Sequence, residues 1–299
     1  MRRSPAAHAC GAFCQRVLQR IGGDTLEKDY VALMDTLDSL QTPLAETARA
    51  VEDHRGAFFA NPNDIETNHH FRTNIRRLRS LLWFIRPWQK KDQNTEAQAI
   101  LKSIVGHTSL LRELDVFQAQ VRSNPDSSPE LIALCRDEAS LERARVIDAL
   151  ASRQVTESFH RAMALTQHVT WKKHFANCGL PRSMVRSRYD AMIDSFEADL
   201  EGLDLRDAEN THHVRKRAKR VRYVAELNAD VLGADTVDVA KGMTAHQDDL
   251  GDICDARANI RLIEMYLRQD LPEPIRNELI RIRETNESCL KELIMRAGG

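Results

Sequence analysis

Apolar residues recur along most of the chain at intervals of three and four. This is the period of an amphipathic helix, and no stretch alternates convincingly like a half-buried strand. Glycine and proline fall mostly between the periodic segments, so they punctuate helices. Residues 1–45 read as an extension of one or two helices, interrupted around Gly22-Gly23-Asp24 and Thr42-Pro43. Helices are then predicted over about 46–60, 65–86, 95–121 and 130–167, the last with a bend near Ser152 to Thr156. Asp64 is placed to cap the second of these, and Pro87 to end it. After the connector 177–181 the pattern restarts, with helices over about 183–202, 208–232, 236–270 and 275–297. Asp207 stands at the next cap and Gly233 at a helix end.

The restart is a repeat. His69-His70-Phe71-Arg72 and Arg76-Arg77-Leu78-Arg79 are matched 143 residues later by His212-His213-Val214-Arg215 and Lys219-Arg220-Val221-Arg222, without gaps. Asp64 and Glu66 match Asp207 and Glu209 at the same spacing. The predicted architecture is all-α: two antiparallel four-helix bundles, 46–180 and 181–299, related by internal duplication and a pseudo-twofold axis. The N-terminal helical extension 1–45 precedes this domain of 46–299, and could pack on it, mediate dimers or cover its groove.

Charge makes the repeated helix the working part. The formal net charge of the whole chain is only −1, so anion binding must come from clustering. From His69 to Lys91 there are seven Lys/Arg and no acid; from His212 to Tyr223 there are six and again no acid. At 100° per residue, His69, Arg72, Arg76, Arg79 and Trp83 form one stripe, and His212, Arg215, Lys219 and Arg222 its counterpart. Phe71, Ile75, Leu78, Leu82 and Ile85 form the adjoining core face, as do Val214, Ala218, Val221 and Ala225. Like charges one turn apart repel, and a region that keeps such repulsion is suited to an anionic partner. Two such helices facing each other would line a cationic groove for a linear polyanion. Two readings stay open for Arg72 and Arg215: ligand contacts, or structural partners of Asp115 and Asp255 on the following helices. His69 and His212 are equally open between structure and ligand.

Composition excludes other classes. No apolar run approaches the ~20 residues of a membrane span. The six cysteines contain no CxxC pair and suit reduced thiols; Cys10 and Cys14, one turn apart, suit packing better than a metal. No P-loop, magnesium-type acidic cluster or nucleophile–base pair is evident, so an enzyme is not expected and no cofactor is implied. Adjacent histidines point about 100° apart on a helix, which disfavours a metal-binding or phospho-acceptor histidine module. Aromatic residues at 5% leave few stacking platforms, which disfavours nucleic acid.

The motifs His69-x-x-Arg72-x-x-x-Arg76-Arg77-Leu78-Arg79 and Leu111-Arg112-Glu113-Leu114-Asp115-Val116 resemble those of the CHAD domain, the conserved-histidine α-helical domain. The second half carries the same pair, His212-x-x-Arg215-x-x-x-Lys219-Arg220-Val221-Arg222-Tyr223 and Gly251-Asp252-Ile253-Cys254-Asp255, although Leu111 stands where the family pattern has glycine. The resemblance covers about 46–299. It implies a stand-alone CHAD protein without a CYTH domain, cytoplasmic and associated with polyphosphate granules. It also implies binding of inorganic polyphosphate through His69, Arg72, Arg76, Arg77, Arg79, His212, Arg215, Lys216, Lys219, Arg220 and Arg222. Oligomeric state is left open, a homo-oligomer included.

Overall fold

The computed structural model describes residues 23–297, except the side chains of residues 23–32, 34 and 245–247. Readings that fall on residues 1–22, including Cys10 and Cys14, lie outside it. The described residues form twelve helices and no strand; the sole bridge between extended segments joins Gln89 to Trp171. Among the described residues no helix is long and apolar enough to cross a membrane.

Helix α1 runs unbroken from Gly23–Ala60 through Pro43, so the interruption expected at Thr42-Pro43 is absent. Proline inside a helix costs about 3 kcal/mol. The cost is offset by packing: Leu37, Leu40, Leu44, Ala48, Val51 and Phe58 make one buried stripe across the proline. Gln41 adds a tether, donating to the Gln167 carbonyl at 2.8 Å and accepting from the Val169 amide at 2.9 Å.

Helix α2 is Ile65–Ile85, capped by Asp64, whose carboxylate accepts from the Glu66 amide at 3.0 Å. Phe71, Ile75, Leu78, Leu82 and Ile85 are buried as the periodicity requires. The helix expected over 95–121 is two, α3 (Lys91–His107) and α4 (Ser109–Ser123), broken at Thr108. The next is also two, α5 (Pro129–Ala151) and α6 (Arg153–Gln167), broken at Ser152 where the bend was expected. A short α7 (Lys173–Cys178) precedes α8 (Arg182–Glu201) and α9 (Ala208–Leu227), which Asp207 caps through the Glu209 amide at 2.8 Å. Residues 208–232, expected as one helix, break at Asn228 into α9 and α10 (Ala229–Leu232), after which Gly233 takes φ +109°. Helices α11 (Thr236–Leu267) and α12 (Glu273–Ala297) complete the chain.

The cores do not divide at residue 180. One joins α1, α2, α3 and α6 to α8, α9 and the first half of α11, through residues such as Phe71, Leu101, Phe159, Tyr189, Val214 and Leu250. The other joins Phe117 of α4 and Leu131 of α5 to Ile263 and Tyr266 of α11 and Leu279 of α12. The breaks at Thr108 and Ser152 fall near the boundary between the cores: Leu111 at the start of α4 and Val146 and Leu150 at the end of α5 still belong to the first, and the remaining buried residues of α4 and α5 to the second. Helix α11 crosses between the cores without a break.

Candidate functional site: a cationic seam between the two repeated helices

Helices α2 and α9 pack on each other, which brings the two copies of the repeated motif together. Their apolar faces turn inward, so the cations on the adjoining stripes are held at the edge of a low-dielectric interior. Burial lowers the basicity of Arg76, and Arg215 and Arg112 oppose its charge further. Burial likewise brings Lys219 down to about 7, with Arg215, Arg76 and Arg222 acting in the same direction and Asp255 against it. His212 and His69 are both held below the usual histidine range, first by burial and then by neighbouring cations. These mutual effects define one seam: His69, Arg72 and Arg76 from α2, Arg112 from α4, and His212, Arg215, Lys219 and Arg222 from α9.

Within the seam the arginines differ in freedom. Arg72 is only 6% exposed and is anchored. One terminal nitrogen, Nη1, donates to the Val105 carbonyl at 3.0 Å and to Thr108 Oγ1 at 2.5 Å, closing the end of α3 at the break. Its expected partner, Asp115, instead accepts from Arg143 at 2.6 Å. Of the two readings left open for Arg72, these contacts support the structural one, with Val105 and Thr108 as partners in place of Asp115. Arg72 is held down at about 9 by burial, then by Arg76 and Arg112. Arg215 does reach Asp255, at 3.8 Å, and lies against Gly251, where a Cβ would come within 3.3 Å of its Nη2. In the first half the corresponding position is filled by the buried Leu111. The Arg76 guanidinium makes no hydrogen bond or ion pair among the described residues. The Nε groups of Arg72, Arg77 and Arg215 are buried without an acceptor among the described residues.

The other expected site residues, and Arg222 at the border of the seam, have further contacts. Arg77 and Arg222 approach the ring of Tyr223, at 5.5 and 5.0 Å from its centroid, and Arg222 is 3.4 Å from Glu226. Lys216 is exposed, close enough to His212 to disfavour its charge. Arg79 donates to Gln98 Oε1 at 3.2 Å. Arg220 lies on the opposite flank of α9 from Lys219. It sits over the Trp83 ring at 4.3 Å and is repelled by Arg217, Arg79 and Arg86. The expectation that all eleven residues line one groove is thus corrected: Arg79 and Arg220 form part of a second cluster. Sequence reasoning missed Arg112 as a seam residue, although its motif was visible. It also missed Arg188 of α8, which nothing in the local pattern marks.

The fold and seam together define a helical scaffold that gathers basic side chains from two repeated helices. The CHAD domain family model matches residues 28–264, most of the chain, and the chain belongs to that family. The match begins inside α1, ahead of residue 46. Among solved structures, it is similar to the CHAD domain from the plant Ricinus communis, at 20% identity and a TM-score of 0.67, over 86% of this chain and 91% of that one. It is also similar to PptA from Streptomyces chartreusis, at 13% identity and a TM-score of 0.61, over 86% of this chain and 98% of that one. At these identities the likeness shows a shared fold. No curated protein matches the sequence significantly.

Proposed function

We propose that this chain binds inorganic polyphosphate along the seam, without catalysing its turnover, and that this binding brings it to cytoplasmic polyphosphate granules. One observation carries the reading: Arg76, Arg112, Arg215 and Lys219 crowd together with too little carboxylate to balance them. Asp255 is the acid that opposes the seam charge of both Arg76 and Lys219. A row of phosphates one oxygen apart supplies that missing charge continuously. Membership of the CHAD family supports the same ligand, as the motifs implied. Nucleic acid is the poorer fit, because Tyr223 is only 3% exposed and offers bases no stacking surface in the seam.

The test is binding of long-chain polyphosphate at several salt concentrations, with DNA and RNA as competitors. About six phosphate contacts predict a loss on the order of a thousandfold in affinity between roughly 50 and 200 mM salt. Arg76→Gln, Arg112→Gln and Lys219→Met should each weaken binding by about ten- to a hundredfold, the range for one charge-assisted hydrogen bond. If the triple variant bound polyphosphate like the native protein, or if DNA competed at equal phosphate concentration, the seam would not be the polyphosphate site.

A further inference from the structure

A second arginine cluster lies where α8 faces α9 and the end of α2, and its chemistry differs from that of the seam. Trp83, Ala191, Met192 and Val221 give its cleft an apolar wall, and Arg188, Arg217 and Arg220 a cationic one. Arg188 is fixed as part of the wall: its Nη2 donates to the Trp83 carbonyl at 2.9 Å and its Nε to the Phe84 carbonyl at 2.5 Å. Its guanidinium lies 4.6 Å from the Trp83 ring centroid. The carboxylate at this wall, Asp199, is already committed to Arg217 at 2.9 Å and faces His213 at 3.3 Å. Arg220 makes no hydrogen bond or ion pair among the described residues, and neither does the exposed Arg86 beside it. Burial lowers the basicity of both Arg188 and Arg220 to about 10, reinforced by Arg86 and Arg220 at Arg188 and by Arg217, Arg79 and Arg86 at Arg220.

We propose that this cleft is a second ligand site, distinct from the seam, for a nucleoside phosphate. Inorganic phosphate would satisfy the arginines but leave the apolar wall wet. A ligand joining a planar base to a phosphate uses both. At about 130 Å³ the cleft takes one small group. The ring therefore enters against Met192, Val221 and the edge of Trp83, where guanidinium planes also offer stacking surfaces. The phosphates stay at the open rim, within reach of Arg220 and Arg86, whose charges have no local partner.

The experiment is a titration of the full chain with ATP and, separately, with inorganic tripolyphosphate, read by tryptophan fluorescence. It is done in an Arg76→Gln/Lys219→Met background that disables the seam. ATP should quench the signal saturably, and Trp83→Phe should remove that quench while Trp88 and Trp171 remain. Arg220→Gln should weaken ATP at least tenfold, yet leave polyphosphate binding by the intact seam within twofold. Tripolyphosphate should compete at least tenfold more weakly than ATP. Equal competition by tripolyphosphate would reduce the cleft to a plain anion patch, and a full quench in Trp83→Phe would place the nucleotide elsewhere. Either result overturns the assignment. Because the seam is tested separately, by polyphosphate binding to Arg220→Gln, failure here leaves the polyphosphate reading untouched.

Discussion

The proposed polyphosphate binding would be proton-linked through Lys219. Burial and the charges of Arg215, Arg76 and Arg222 bring it from an ordinary 10.5 to about 7, with Asp255 alone pulling the other way. His212 and Cys254 are its other titratable neighbours. The shift corresponds to about 5 kcal/mol of opposition to the charged form. Between pH 7 and 10.5 the unfolded chain holds this proton more tightly than the folded one. Stability therefore rises with pH across that window, and the cost is complete below it. A polyanion in the seam reverses the balance, because nearby negative charge favours the ammonium. Binding should then draw in about half a proton at pH 7 and about nine-tenths at pH 8, the fractions missing from a group that titrates near 7. Calorimetric titration with polyphosphate at pH 8, in buffers of different ionisation enthalpy, measures this number. His69 and His212, held below the usual histidine range, lie further than Lys219 from charging at pH 8, so Lys219 is the main source of the uptake. The Lys219→Met variant should lose the uptake. An enthalpy independent of buffer at pH 8, or unchanged uptake in Lys219→Met, would refute the reasoning.

Other outcomes follow from single contacts. Gly251→Ala should raise helix stability by up to about 1 kcal/mol, yet weaken polyphosphate binding severalfold, because its Cβ crowds Arg215; denaturation and binding curves on one sample check both signs. Arg72→Met should cost about 1–3 kcal/mol in urea unfolding, since it strips the donors that close α3 at Thr108. Removing the Arg143 partner by Asp115→Leu should cost about 3–5 kcal/mol by leaving a buried charge, while Asp115→Leu/Arg143→Met together should recover much of it; a double-mutant cycle measures the difference.

The helices and the repeated basic motif were legible because each rests on local pattern: the 3.6-residue period, the Asp64 and Asp207 caps, and Gly233. What escaped depends on contacts distant in sequence. Pro43 stands in a helix because Thr166, Gln167 and Val169 grip the neighbouring Gln41. The break at Thr108 follows Gly106 by two residues, but a lone glycine inside a helical pattern does not announce a break, and it is closed by Arg72, 36 residues earlier. The site divided for the same reason. Helical arithmetic correctly separated Lys219 from Arg220 by 100°, but it could not say that α8 would bring Arg188 and Arg217's partner Asp199 to the second flank. Pairing of Arg72 with Asp115, one of the two readings left open, is not seen because Arg143, from α5, reaches that carboxylate.

Helix α11 enters the first core at Ala240 and leaves the second at Tyr266, passing Gly251 and Asp255 behind the seam on the way. It therefore acts as a keel. The distal helices α5 and α12 pack with the far end of this rod, and Arg215 lies against its middle. Amide exchange near Ile263 should accordingly slow when polyphosphate occupies the seam, although no phosphate touches that end of the molecule.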